Sequence, residues 1–133
     1  MPLTINLKPH ERLIVNGVVL QNNTHAAKLL VHNEAALLRE KDIITEEAAN
    51  TPARRIYYAI QCRYLFPEKA DVYVPIVHEF LEEFGRAAPS TGELVQDVRS
   101  QVDDGHFYQA LKTAKQLITR EGEILNGSST SGL

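Results

Sequence analysis

A single cysteine, Cys62, is all the chain contains, so no internal disulfide can form, and no Cys/His group stands at metal-ligand spacing. No run approaches ~20 apolar residues, which excludes a membrane-spanning helix. No basic stretch followed by an apolar run opens the sequence, so no secretory signal is expected. Positive charge is not in excess. With 14 Lys and Arg against 17 Asp and Glu the net charge is −3, which argues against an indiscriminate grip on nucleic acid. The motifs of common catalysts are missing too: there is no G-x-S-x-G, no P-loop and no G-x-G-x-x-G. The five histidines (His10, His25, His32, His78, His106) fall in different elements. Glu82-Glu83 and Asp103-Asp104 are sequence neighbours, which point apart on a helix and form no carboxylate dyad. Cys62 reads as a buried, inert thiol. These absences predict a protein of the reducing cytoplasm that is no enzyme and carries no metal or cofactor.

What is present is a chain of 133 residues with 44% hydrophobic content, the size and composition of one globular domain. Its first ~40 residues have the period of strands. Leu3, Ile5 and Leu7 alternate with polar neighbours. Lys8-Pro9-His10 turns the chain into Arg12–Gln21, where Asn16-Gly17 separates two β-branched runs. That dipeptide is a strong hairpin signal, because a type I′ turn needs positive φ at both central residues. The turn pairs Val15 with Val18 and Leu13 with Leu20 on one face and leaves Ile14 and Val19 on the other. A hairpin apolar on both sides must be covered on both sides. Ala26 to Val31 and Ala35 to Arg39 complete the β-rich part.

Beyond Arg39 the period becomes helical. Thr45-Glu46-Glu47 begins a turn with acids at its positive end. Thr51 caps a helix that Pro52 opens and that runs to about Leu65, with Ala53, Ile56, Tyr57, Ile60 and Tyr64 on one stripe. Val72 to Phe84 shows apolar residues at i, i+3, i+4 and i+7; Pro75 opens or kinks it, and Gly85 is a natural stop. Ser90 with Glu93 reads as a capping box for a third helix. Asp104-Gly105 divides that helix from a last one carrying Phe107, Ala110, Leu111, Ala114, Leu117 and Ile118, which Asn126-Gly127 can end. The expected fold is therefore α+β: a small N-terminal antiparallel sheet of hairpins, then three to four amphipathic helices packed as a bundle. One domain is expected over residues 1–127, β-rich to 40 and helical over 45–126, with a disordered tail at 128–133. No internal repeat is visible. A small sheet with open edges and two apolar faces predicts a homo-oligomer, most simply a two-fold dimer, unless the helices fold back over the sheet.

The most informative segment is the Pro52 helix. Arg54, Arg55, Tyr58 and Gln61 fall on the side opposite its apolar stripe, with residues 54, 58 and 61 one turn apart. Guanidinium groups bind phosphate and tyrosine rings stack on unpaired bases, so this combination suits single-stranded or loop RNA. Arg39 and Lys41 extend the candidate patch, and Arg12 and Lys28 on the hairpins are further members. Charge is distributed accordingly. Residues 1–65 hold eight Lys/Arg against six Asp/Glu, whereas residues 66–133 hold six against eleven. A polyanion should therefore meet the first half. The competing reading is an ordinary helix whose tyrosines face the core and whose arginines reach into solvent or pair with Glu40, Asp42, Glu46 and Glu47.

Two blocks of sequence carry a resemblance. LKPHERLIVNGVVLQN, from Leu7, is similar to the N-terminal pattern LKPGERLxxNGAVI of the FlbT family, the flagellin post-transcriptional regulators of alphaproteobacteria. LLREKDIITEEAANTPARRIYYAIQ, from Leu37, resembles the signature region of the same family. His10 departs from the pattern, standing where the family usually has glycine. The resemblance implies an RNA-binding regulator that acts on the 5′ untranslated region of flagellin mRNA and lowers its translation or stability. Family members do not all repress. It also implies a FlaF-type partner. The alternative function is a protein-binding adaptor or chaperone-like factor for flagellin or such a partner, gripping it by a groove at Phe80, Leu81 and Phe84 or by the Phe107–Ile118 stripe.

Overall fold

The computed structural model describes residues 3–131, with side chains to residue 126. The chain divides into two compact units, one up to Ile43 and one from Ile44 onward. The architecture is α+β, with five strands followed by four helices.

The first unit holds β1 (Leu3–Leu7), β2 (Arg12–Val15), β3 (Val18–Gln21), β4 (Ala27–Val31) and β5 (Leu37–Arg39). β1 and β4 pair antiparallel, and β3-β2-β5 form a second antiparallel sheet. The hairpin has the register that its turn dictates: Val15 opposite Val18, Ile14 opposite Val19, Leu13 opposite Leu20. Asn16 and Gly17 take φ of 51° and 83°, the type I′ geometry. The Asn16 side chain then accepts the Ala36 N–H at 2.9 Å and so fixes the approach to β5. Ile5, Leu7 and Leu13 form the buried centre, flanked by Val15, Val31 and Leu37. Asn22 ties the turn after β3 together, donating to the carbonyls of Lys8 and His25 at 3.1 and 2.8 Å.

His10 adopts φ 66°, in the left-handed region that glycine enters without cost. The backbone must turn there, because the His10 N–H donates to the Asn22 carbonyl at 2.6 Å. We expect His10→Gly to raise stability by about 0.5–1 kcal/mol and His10→Val to lower it by at least as much. Urea unfolding of the three proteins checks both.

The second unit holds α1 (Pro52–Leu65), α2 (Ala70–Ala87), α3 (Gly92–Asp103) and α4 (Phe107–Ser131). Thr51 caps α1 as predicted, accepting the Arg54 N–H at 3.2 Å, and Pro52 occupies the first position. Ala53, Ile56 and Ile60 are buried with Val77 and Leu81 of α2, Val98 of α3, and Leu111 and Leu117 of α4. Gly105, at φ 79°, closes α3. Among the described residues no helix is long and apolar enough to cross a membrane.

Four helix boundaries depart from the sequence expectation. α2 continues through Gly85 to Ala87, and Gly85 faces Val95 of α3, where an added methyl would stand 3.7 Å from Val95 Cγ1. Pro75 lies inside α2, because a 3-10 turn at Pro67–Lys69 starts the helix earlier than the apolar pattern does. The Ser90–Glu93 box does not form. Pro89–Thr91 is itself a 3-10 turn, and the buried Thr91 hydroxyl donates to the Ala88 carbonyl at 2.6 Å. α4 passes through Asn126-Gly127 to Ser131, so four residues of the expected tail are helical; the last two lie outside the described residues.

Candidate functional site

The N-terminal half of α1 presents Arg54 and Arg55 to solvent, on the first turn after the cap. Arg54 Nη1 donates to Asn50 Oδ1 at 3.1 Å. Among the described residues neither guanidinium forms an ion pair with a carboxylate, whereas Arg39 pairs with Glu11 and Arg120 with Glu123. The two arginines thus keep their charge and most of their donors available. One turn further on, Tyr58 is half-buried. Its hydroxyl turns inward to the Cys62 thiol, and burial first, then that thiol, pushes the phenol up to about 12. Tyr58 therefore offers the flank of a ring rather than an open face.

Cys62 is buried and free, and it sits between the hydroxyls of Tyr58 and Tyr73, both of which hydrogen-bond to it. Burial pushes its thiol up, against those hydrogen bonds. The thiolate fraction at pH 8 is accordingly below that of an exposed cysteine. Native protein should react with an aromatic disulfide reagent at pH 8 at least tenfold more slowly than protein in urea; equal rates would mean that the thiol is reachable.

Gln61 is not part of the exposed face. It is buried, and its amide clamps the incoming chain: the Ile44 N–H donates to Oε1 and Nε2 donates to the Ile44 carbonyl, each at 2.9 Å. The stripe is wider than five residues because α1 packs against both α2 and α4, which buries Gln61, Cys62 and Leu65 as well. Arg39 is likewise engaged. Its Nη2 contacts Glu11 Oε2 at 3.1 Å and donates to the Asn6 carbonyl at 2.7 Å. The Lys8 N–H, with Arg39 beside it, holds the Glu11 carboxyl below the usual range. That contribution is present at neutral pH and fades as pH falls through the lowered value. Arg12, Lys28 and Lys41 are exposed, and they belong to the first unit, whereas Arg54, Arg55, Tyr58 and Gln61 belong to the second.

Two features escaped the sequence reading. The first is a set of rings and cations where α1 ends and α4 begins. Arg63 lies 4.2 Å from the Phe107 ring centroid, Lys112 lies 4.9 Å from that of Tyr108, and Tyr64 and Tyr108 approach to 6.5 Å. Nine residues separate Arg54 from Arg63, so at 3.6 residues per turn the two point to opposite sides of α1. This cluster is thus a separate surface; its signal in the sequence is Tyr108 with Lys112 four residues on, beside the α4 core stripe. The second is Glu121, whose buried Oε2 accepts the Ala53 N–H at 2.9 Å. It puts a carboxylate at the positive end of α1, 68 residues away in sequence.

Beside Glu121 opens a groove of about 420 Å³, lined by apolar side chains including Phe80, Phe84, Ile124 and Leu125, with Arg55 and Glu83 at its polar margin. Phe80 and Phe84 are the residues at which the sequence suggested a helix groove. Among the described residues no group of three His, Cys, Asp or Glu side chains is arranged to hold a metal ion.

The family model described as "Flagellar protein FlbT" matches residues 3–125. The probable flagellum biosynthesis repressor protein FlbT of Rhodopseudomonas palustris (strain TIE-1) is 38% identical over 129 residues, covering 95% of this chain and 99% of that protein. A protein of Bradyrhizobium diazoefficiens with the same description is 37% identical, over 93% of this chain and 85% of its own. The flagellum biosynthesis repressor protein FlbT of Caulobacter vibrioides (strain ATCC 19089) is 35% identical, over 100% and 95%. No solved structure matches.

Proposed function

The chain belongs to the FlbT family of flagellar proteins, and on that premise we propose that it is a regulator of flagellum synthesis that binds the 5′ untranslated region of flagellin mRNA and lowers its translation or stability. The relatives' description as flagellum biosynthesis repressors supports the regulatory part. The observation that carries the RNA part is the pair Arg54–Arg55, exposed on the first turn of α1 with no carboxylate partner among the described residues. Each guanidinium can bond two phosphate oxygens, and the Tyr58 ring beside them supplies an apolar flank for a base. Arg12, Lys28 and Lys41 are available as further phosphate contacts; Gln61 and Arg39 are spent on the fold. With so few cations, binding must be selective and salt-sensitive rather than tight and general.

The experiment is a filter-binding titration with flagellin leader RNA over a salt series. The reading requires retention of leader RNA at low salt, lost steeply as salt rises, and weaker retention of an unrelated RNA of equal length. No retention at any salt overturns it. A second reading, a protein-binding adaptor for flagellin or a FlaF-type partner, is favoured by one observation, the apolar groove at Phe80 and Phe84. Co-purification of flagellin with a protein that retains no RNA would establish that reading instead.

A further inference from the structure

Strand β3 is the outer strand of the β3-β2-β5 sheet, and its four residues, Val18-Val19-Leu20-Gln21, are all exposed. Next to it in β2, Leu13 and Ile14 are buried on both faces of the sheet at 2% and 9% exposure, whereas Val18, Val19 and Leu20 stand at 58%, 60% and 47%. Cover therefore ends abruptly between two paired strands. Natural edges are guarded by lysine, proline, a bulge or a covering segment. β3 has no charged residue, no proline and no bulge in its register with β2. The opposite edge differs. β5 is three residues long, and its Arg39 is held by Glu11 and by the Asn6 carbonyl.

We propose that β3 pairs antiparallel with β3 of a second copy, joining the two β3-β2-β5 sheets into one of six strands about a two-fold axis. This inference is independent of the RNA reading. An uncharged strand pairing with itself opposes no like charges, and because β5 is short and occupied, the assembly closes at two instead of growing into a fibre.

The register follows from the hydrogen bonds. The Asn22 N–H donates to the Glu11 carbonyl, so Asn22, Leu20 and Val18 turn their peptide groups toward β2. Val19 and Gln21 then turn theirs outward. Both can be satisfied at once only if Val19 of one copy faces Gln21 of the other, which sets Leu20 opposite Leu20 at the axis. In that non-hydrogen-bonded pair the Cα atoms are about 4.5 Å apart. Val18, in contrast, lies roughly 14 Å from Val18 of the other copy, four residues along the strand direction.

The test uses the full chain in sedimentation and oxidation. Wild type should sediment at twice the 14.9-kDa chain mass at micromolar concentration. Val19→Lys, which sets a charge beside the axis, should sediment as a monomer with unchanged far-ultraviolet dichroism. Leu20→Cys should cross-link rapidly on mild oxidation, and Val18→Cys should not, since a disulfide needs Cα atoms within about 7 Å. Wild type, with only the buried Cys62, sets the background. A monomeric wild type overturns the proposal. So does a dimer that survives Val19→Lys, or one in which Val18→Cys cross-links as fast as Leu20→Cys.

Discussion

Replacing Gln61 by alanine should lower folding stability by about 2–3 kcal/mol, the largest loss we expect from any one residue on α1 that is not a hydrocarbon. The reason is geometric. The Gln61 amide meets both polar groups of the Ile44 peptide at 2.9 Å, and it does so from a buried position on the helix. Removing it takes away two hydrogen bonds and leaves a backbone N–H and C=O facing a small void. Gln61→Met fills the volume but supplies no partner, so it should recover only the packing part of the loss. Urea unfolding separates the two contributions. If Gln61→Ala unfolds at the wild-type denaturant concentration, solvent has replaced the clamp and Ile44 is not held as described.

The second large effect concerns binding. Arg54→Ala with Arg55→Ala should weaken leader-RNA affinity roughly 30- to 150-fold at low salt, taking about 1–1.5 kcal/mol for each exposed guanidinium. Stability should hardly change. The Arg54 side chain makes one exposed hydrogen bond, to Asn50, and the cap itself uses the Arg54 backbone N–H, which alanine retains. Exposed contacts of this kind contribute a few tenths of a kcal/mol. Tyr58→Ala is a less clean variant, because it also removes the hydroxyl that meets Cys62. Tyr58→Phe keeps the ring and isolates that hydrogen bond: its RNA affinity should match wild type if the ring alone contributes.

Much of this molecule was legible from residue order because local chemistry determined it. Asn16-Gly17 can take two positive φ angles at little cost, and the hairpin register followed from that turn. Thr51-Pro52 determined the start of α1, and Gly105 the end of α3. The misreadings arise where tertiary contacts, or a neighbouring proline, override the preference read from spacing. Gly85 reads as a helix stop, but α2 runs on through it to Ala87 and packs it beside Val95 of α3. Ser90 and Glu93 have cap spacing, but Pro89 draws that stretch into a 3-10 turn. Gln61 sits one turn beyond Tyr58 and so reads as surface, yet α1 has neighbours on two sides and the chain at Ile44 passes over it. Glu121 gave no local sign of its role, since its partner at Ala53 is remote in sequence. At the candidate site the arginines were legible, because an exposed guanidinium needs no particular neighbour. The fate of Tyr58 was not, because it depended on where Cys62 and Tyr73 came to rest.

The central claim is that the open guanidinium pair on α1 binds the phosphates of a flagellin leader RNA, and one measurement tests it most directly: the slope of log binding constant against log salt concentration for wild type and for Arg54→Ala/Arg55→Ala, side by side. Each phosphate contact to a single strand contributes about 0.7 to that slope, so the double variant should be shallower by roughly 1.4 while melting at the wild-type temperature. Equal slopes would show that the RNA meets some other surface. A shallower slope accompanied by a collapse in melting temperature would show that the two arginines support the fold rather than the ligand.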